Sequence, residues 1–165
     1  MKRTGFALPC TARRLRAGCG ILRQAMSKDN VLIVRRAYAA LNDAYVGGDY
    51  TDAVERLCHA DVVLKTSGLF PETGEYRGHT GMRRFAENQA EAFQQLSVHP
   101  LEFIPAGDKV VVSVWFGGRA RHTGIQAEFL VAHIWTIRSA RVARIDMYRS
   151  RSEALDAVRH ERDRI

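Results

Sequence analysis

The clearest alternation of apolar and polar positions lies between Ile125 and Ile137. The odd-numbered residues, Ile125, Ala127, Phe129, Val131, His133, Trp135 and Ile137, are apolar except for one imidazole, while the even-numbered set, Gln126, Glu128, Leu130, Ala132, Ile134 and Thr136, is mixed. Side chains alternate across a strand, so the odd set predicts a face that lines a core or a pocket, with His133 as its single titratable group. The next strand, over 141–149, divides in the same way: Ala143, Ile145 and Met147 are predicted to face inward, and Arg144, Asp146 and Tyr148 outward. Arg149 shares the inward parity and is expected at the mouth of the cavity, to meet an acidic ligand group or to snorkel into solvent.

Helical spacing governs the earlier part of the chain. Val31, Val34, Tyr38, Leu41 and Tyr45 recur every three or four residues after Ser27 or Asp29, either of which suits an N-cap, and Gly47-Gly48 ends the run. A shorter helix is expected from Thr51 through Cys58, a strand over 62–66, a loop over 67–78, and a third helix with Met82, Phe85, Gln89, Phe93 and Leu96 on one face. Strands at 98–104, 109–117, 119–137 (bent or interrupted) and 141–149 follow, separated by Gly107-Asp108, Gly117-Gly118 and Ser139-Ala140, short connections that suit an antiparallel meander. Helices followed by a run of antiparallel strands predict an α+β fold in which helices cover one sheet face.

Composition narrows the function classes. A chain of 165 residues with 46% hydrophobic residues and four prolines fits one globular domain. The net charge of +7 comes from Lys2, Arg3, Arg13, Arg14, Arg16 and Arg23; the remaining 19 basic and 18 acidic residues leave +1. The body therefore lacks the concentrated basic surface that nucleic-acid binding needs. Residues 1–25 read as a basic, disordered extension, outside the fold and ahead of a natural start at Met26; a targeting peptide or basic anchor is the other reading. Residues 26–158 form the domain and 159–165 a tail. Cys10, Cys19 and Cys58 are odd in number, far apart and without the paired spacing of a zinc site, so a reduced, cytoplasmic protein is expected, with no disulfide framework, metal or cofactor. The apolar runs fall far short of the roughly 20 residues that span a membrane.

The order of several segments resembles a known family. They are Asn30 through Asn42, Gly48-Asp49, Ala60-Asp61-Val62-Val63, Tyr76-Arg77-Gly78-His79 with Gly81, His133 through Ile137, Tyr148, and Glu153-Ala154-Leu155. Together they are similar to the cone-shaped α+β roll of nuclear transport factor 2, and within it to the SnoaL-like branch of polyketide cyclases and ketosteroid isomerases. The resemblance implies a curved antiparallel sheet wrapped around the long N-terminal helix, enclosing a cavity, and a homodimer built through the sheet.

The resemblance also tests the chemistry. The isomerases' helix-1 tyrosine, an oxyanion donor, is matched by Tyr38. Their catalytic carboxylate falls at Thr66 and their second oxyanion donor at His133, so the general base is missing. The cyclases' acid/base aspartate falls at Met147, one residue from Asp146, and on a strand one residue reverses the face. The Asp, Arg and Asp set of the epoxide hydrolases finds no ionisable partner between Val110 and Phe116.

Tyr38, His133 and, more weakly, Asp146 are therefore the catalytic candidates, and Thr66, Phe129, Val131, Trp135, Ile145, Met147 and Arg149 the ligand-binding ones. Each has a structural alternative: His133 as a core histidine bonded to backbone or to Tyr38, and Tyr38 and Trp135 as packing. Three functions remain: an enzyme polarising a carbonyl of a hydrophobic substrate, a non-catalytic binder of a small hydrophobic molecule, or a dimeric interaction module using the outer sheet face around Leu130 and Ile134. Buried on an apolar face, His133 is expected to titrate below an ordinary histidine.

Overall fold

The computed structural model describes residues 12–66, 68 and 74–164, with side chains from Ser27 onward. Four strands, β3 (Phe93–Ala106), β4 (Lys109–Ala120), β5 (Gln126–Arg138) and β6 (Arg141–Tyr148), form an antiparallel meander. Two earlier strands, β1 (Cys58–Lys65) and β2 (Glu75–Arg77), extend it into a six-stranded sheet of order β2-β1-β6-β5-β4-β3, in which β1 runs parallel to β6. The helices α1 (Ala12–Tyr45), α2 (Tyr50–Leu57) and α3 (Gly78–Ala92) lie on the inner side, and α4 (Arg151–Arg162) lies on the outer side. This is the expected α+β roll: a curled, mostly antiparallel sheet around a long N-terminal helix.

Alternation along the strands builds the core. Val110, Val112, Val114 and Phe116 of β4 face inward beside Val131, Trp135 and Ile137 of β5, and meet Val34 and Tyr38 of α1 and Met82 and Phe85 of α3. Strand β3 is a sheet edge, and α1 is fastened to it by Asn42, whose side-chain amide donates to the Val98 carbonyl (2.7 Å) and accepts from its N–H (2.9 Å). Those two bonds fix the height at which α1 crosses the sheet, and with it the position of Tyr38 one turn earlier.

Several expected boundaries are corrected. Helix α1 starts at Ala12 and passes through Ser27 and Asp29, so neither caps it, and it crosses Met26 without a break. Its Ala, Arg, Leu, Gln and Met residues propagate a helix well, and Gly18 and Gly20 weaken it without the steric stop that a proline would impose. Helix α2 begins one residue early, at Tyr50, because Asp49 accepts the Thr51 N–H (2.8 Å). Part of the loop expected over 67–78 lies outside the described residues, and its end forms β2. Helix α3 stops at Ala92; Phe93 and Leu96 belong to β3, where a bulge with Gln95 at φ 56° shifts the register.

Gly117-Gly118 is not a turn but the interior of β4. A Cβ on Gly117 would stand 2.2 Å from the Trp115 ring, so the missing side chain leaves room for an indole lying along the strand. The connection comes later, over 121–125, with Gly124 at φ 69°. A bulge between Thr136 and Ile137 of β5 and their β6 partners makes Val142 rather than Ala143 the buried residue, while Ile145 and Met147 keep the expected parity. The segment read as a tail from 159 is helical through Arg162.

Candidate functional site

Strand β5 is buried on both faces from Val131 to Trp135. On the inner face His133 lies between its register partners Val112 and Met147, and α1 brings the Tyr38 phenol to it: Tyr38 Oη and His133 Nδ1 are 2.7 Å apart. Trp135 Nε1, two residues along the same face, donates to Tyr38 Oη at 3.0 Å. The rings of Tyr38 and His133 are nearly parallel (13°, centroids 6.0 Å apart), and the indole and Phe103 meet the phenol edge-on. All three polar residues are at most 6% exposed.

The bonding direction follows from the donor inventory. Indole nitrogen can only donate, so Tyr38 Oη accepts from it, and its own hydrogen is free to be given to His133 Nδ1 when the imidazole is in its Nε2–H tautomer. In that tautomer Nδ1 carries a lone pair and the hydrogen sits on Nε2, which has no hydrogen-bond partner among the described residues. Burial pushes the His133 pKa down to about 4, as its apolar face predicts, and pushes Tyr38 well above the ordinary phenol range. At neutral pH the line is uncharged, and it ends in one N–H.

The remaining candidates divide. Val131 and Ile145 are buried core beside Trp135, and Met147, half-buried, is opposite His133. Thr66 is buried just after β1, but its hydroxyl exchanges hydrogen bonds with the Gly74 backbone (3.1 and 3.3 Å) and so closes a loop. Phe129 has the inner parity and lies against Phe116, yet is 41% exposed at the end of the sheet. Asp146 pairs with Ile134 on the outer face, and its carboxylate is held by the Arg144 guanidinium at 2.7–3.0 Å. The β6 bulge lies ahead of it, near Ala143, and does not turn it inward, so Asp146 does not meet His133. Arg149 is exposed beyond β6, where its backbone N–H donates to Glu153 in the α4 cap.

The outer face also departs from expectation. Ile134, read as part of an open patch, is 4% exposed because α4 covers it: Ser150 caps the helix, and Ala154 and Val158 pack on Val111, Ala132 and Ile134. Leu130 remains 69% exposed, in a row with Trp115 and His99. Sequence reasoning missed α2 as a wall of the interior. Tyr50 borders both an outer groove of about 260 Å³ and an inner hollow of about 10 Å³ that reaches Trp135. The available signal was Gly47-Gly48-Asp49, a hinge and a cap that set the next residue at a helix start. No group of three or more His, Cys, Asp or Glu suited to a metal occurs among the described residues.

The profile of the SnoaL-like domain family matches residues 34–145, a span that holds Tyr38, Thr66 and the inner face of β5 through Trp135. The chain belongs to the SnoaL-like domain family. Solved structures of the same fold include a nuclear-transport-factor-2-like protein from Burkholderia xenovorans LB400 (23% identity, 73% of this chain and 88% of that one, TM-score 0.62). A ketosteroid-isomerase-like protein from Catenulispora acidiphila DSM 44928, in complex with trimethylamine, is 18% identical over 75% of this chain and 89% of that one, with TM-score 0.61. TerC, co-crystallised with polyporic acid, is 22% identical over 79% of this chain and 98% of that one, with TM-score 0.63. No curated protein sequence matches the chain. Among the described residues, no helix of this SnoaL-like protein is long and apolar enough to cross a membrane.

Proposed function

We propose that this SnoaL-like domain binds a small, largely apolar molecule inside the roll and holds a carbonyl-type acceptor on it through His133 Nε2–H. The observation that carries the reading is the line Trp135 to Tyr38 to His133, which ends at a buried imidazole whose Nε2 has no hydrogen-bond partner among the described residues. A hydrogen bond from that N–H favours an acceptor over a plain hydrocarbon by about 0.5–1.5 kcal/mol. The apolar surroundings, Val131, Ile145 and Met147, take the rest of the molecule.

The same geometry limits the chemistry. Polarising a carbonyl needs only a donor, and a neutral imidazole steered by a phenol supplies one. Abstracting a carbon-bound proton needs a base. Thr66 is a hydroxyl tied to Gly74, Asp146 is on the other face, and His133 at about pKa 4 is a weak acceptor of protons. Binding with carbonyl polarisation therefore fits better than carboxylate-driven isomerisation. That neighbours of this fold hold molecules as unlike as polyporic acid and trimethylamine fits a scaffold whose interior residues, rather than its fold, select the ligand.

Native mass spectrometry of the full chain purified from its own cells tests the proposal. A co-purifying small molecule that is lost from His133→Ala and retained by Leu130→Ala is the expected result. A molecule held equally by His133→Ala, or an empty wild-type protein, contradicts it.

A further inference from the structure

Two hollows on the α2 side of the roll share one residue. The outer groove is lined by Tyr45 at the end of α1, by Gly48, Asp49 and Tyr50, and by Arg83 and Glu87 of α3. The inner hollow is lined by Ala53, Val54, Leu57, Cys58, Met82 and Trp135, and by Tyr50 on the side of the groove. Trp135 in turn donates to Tyr38, so groove, Tyr50, hollow, indole, phenol and imidazole follow one another inward. At about 10 Å³ the hollow has room for little more than one water, so a ligand enters only when a lining side chain moves.

We infer that Tyr50 is the access-determining residue of the interior site: its ring separates an entry groove from the hollow, and swinging out admits a neutral ring-sized molecule past Trp135. The inference rests on the binding reading above, but its test does not use that ligand. Three features make Tyr50 the movable part. Its hydroxyl has no hydrogen-bond partner among the described residues, so moving the ring breaks no polar bond. It is the first residue of α2, directly after the Asp49 cap and the Gly47-Gly48 connection, with Gly47 at φ 98°. Among the described residues Tyr50 is also the one that lines both the groove and the hollow, and within the hollow the pliant Met82 side chain can yield with it. Arg83 and Glu87 then remain at the groove to meet a polar trailing end.

Cys58 reports on the door, because its thiol is 5% exposed and lines the hollow behind Tyr50. In the full chain carrying Cys10→Ser and Cys19→Ser, its reaction with the neutral disulfide 4,4′-dithiodipyridine forms a mixed disulfide and releases thiopyridone, read by absorbance. Burial pushes this thiol up to about 12, so the native reaction is slow and acceleration is easily read. Tyr50→Ala is expected to speed labelling at least tenfold at urea concentrations too low to unfold the protein. Tyr50→Phe keeps the native rate, because the ring and not the hydroxyl is the barrier, and Phe129→Ala at the end of the sheet leaves it unchanged. Should Tyr50→Ala compromise folding, Tyr50→Leu gives an intermediate acceleration and Ala53→Leu, which fills the hollow, a slower rate than native. Native-rate labelling in folded Tyr50→Ala or Tyr50→Leu, or equal acceleration by Phe129→Ala, overturns the inference. Neither result depends on whether His133→Ala loses a bound molecule, so the two readings fail separately.

Discussion

Strand β5 is covered twice, and the two covers differ in kind. On its outer face α4 lays Ala154 and Val158 on Val111, Ala132 and Ile134, a contact between hydrocarbon side chains. On its inner face α1 brings a phenol between an imidazole and an indole, and all three polar groups are taken out of water. Apolar burial at about 25 cal/mol per Å² suffices to hold a helix on a sheet, so the outer contact is explained by stability alone. Polar groups cost free energy to bury unless they are paired, and the inner line leaves its last N–H unpaired among the described residues. The outer face buries one unpartnered hydroxyl of its own, Ser113 Oγ, so what sets the inner face apart is the linked line of indole, phenol and imidazole, whose last nitrogen is where the proposed ligand would dock.

The largest effect should come from breaking the outer cover. Val158→Asp sets a carboxylate against Ile134 and Val111, and should cost about 3–5 kcal/mol in urea unfolding, as an uncompensated buried charge does. The pH dependence of stability comes next and belongs to the inner face. Because the folded pKa of His133 is about 4 and the unfolded value about 6.5, the native state binds fewer protons between them. Its contribution is fully present above pH 6.5 and is lost as pH falls toward 4, about 3 kcal/mol in all, and His133→Gln should remove that slope. Tyr38→Phe, which strands both the indole N–H and His133 Nδ1, should cost about 2 kcal/mol in the same unfolding experiment and alter the near-ultraviolet circular dichroism of Trp135. Leu130→Asp, in the part of the outer face that α4 leaves open, should change monomer stability by less than about 0.5 kcal/mol. If a second copy docks on that row, sedimentation velocity will show the variant as a monomer and the wild type as a dimer.

Period-two alternation made the inner face legible from sequence, and with it His133, Trp135, Ile145 and Met147, because each residue's face follows from parity alone. Parity also placed Asp146 outside. Where a bulge intervenes, as at Ala143 and Gln95, parity slips, and nothing local in the sequence marks the extra residue. Gly117-Gly118 misled for a related reason: the glycine signal was real, but its cause is the indole of Trp115 lying over the strand rather than a turn. The cover of Ile134 was hidden because a short helix with few apolar positions, Ala154, Leu155 and Val158, gives a faint stripe until the sheet it covers is in place. Tyr50 was invisible for a third reason, since its importance lies in two hollows on either side of it and not in its neighbours along the chain.

The protonation of His133 is the point on which the functional reading turns, and nitrogen-15 NMR of the imidazole measures it directly. The predicted spectrum is a fixed neutral tautomer, with Nδ1 as the bare acceptor of the Tyr38 hydroxyl and Nε2 carrying the hydrogen, unchanged from neutral pH until protonation near pH 4. A hydrogen on Nδ1, or a titration near 6.5, would mean that the line does not end in a donor for a ligand, and would contradict the account.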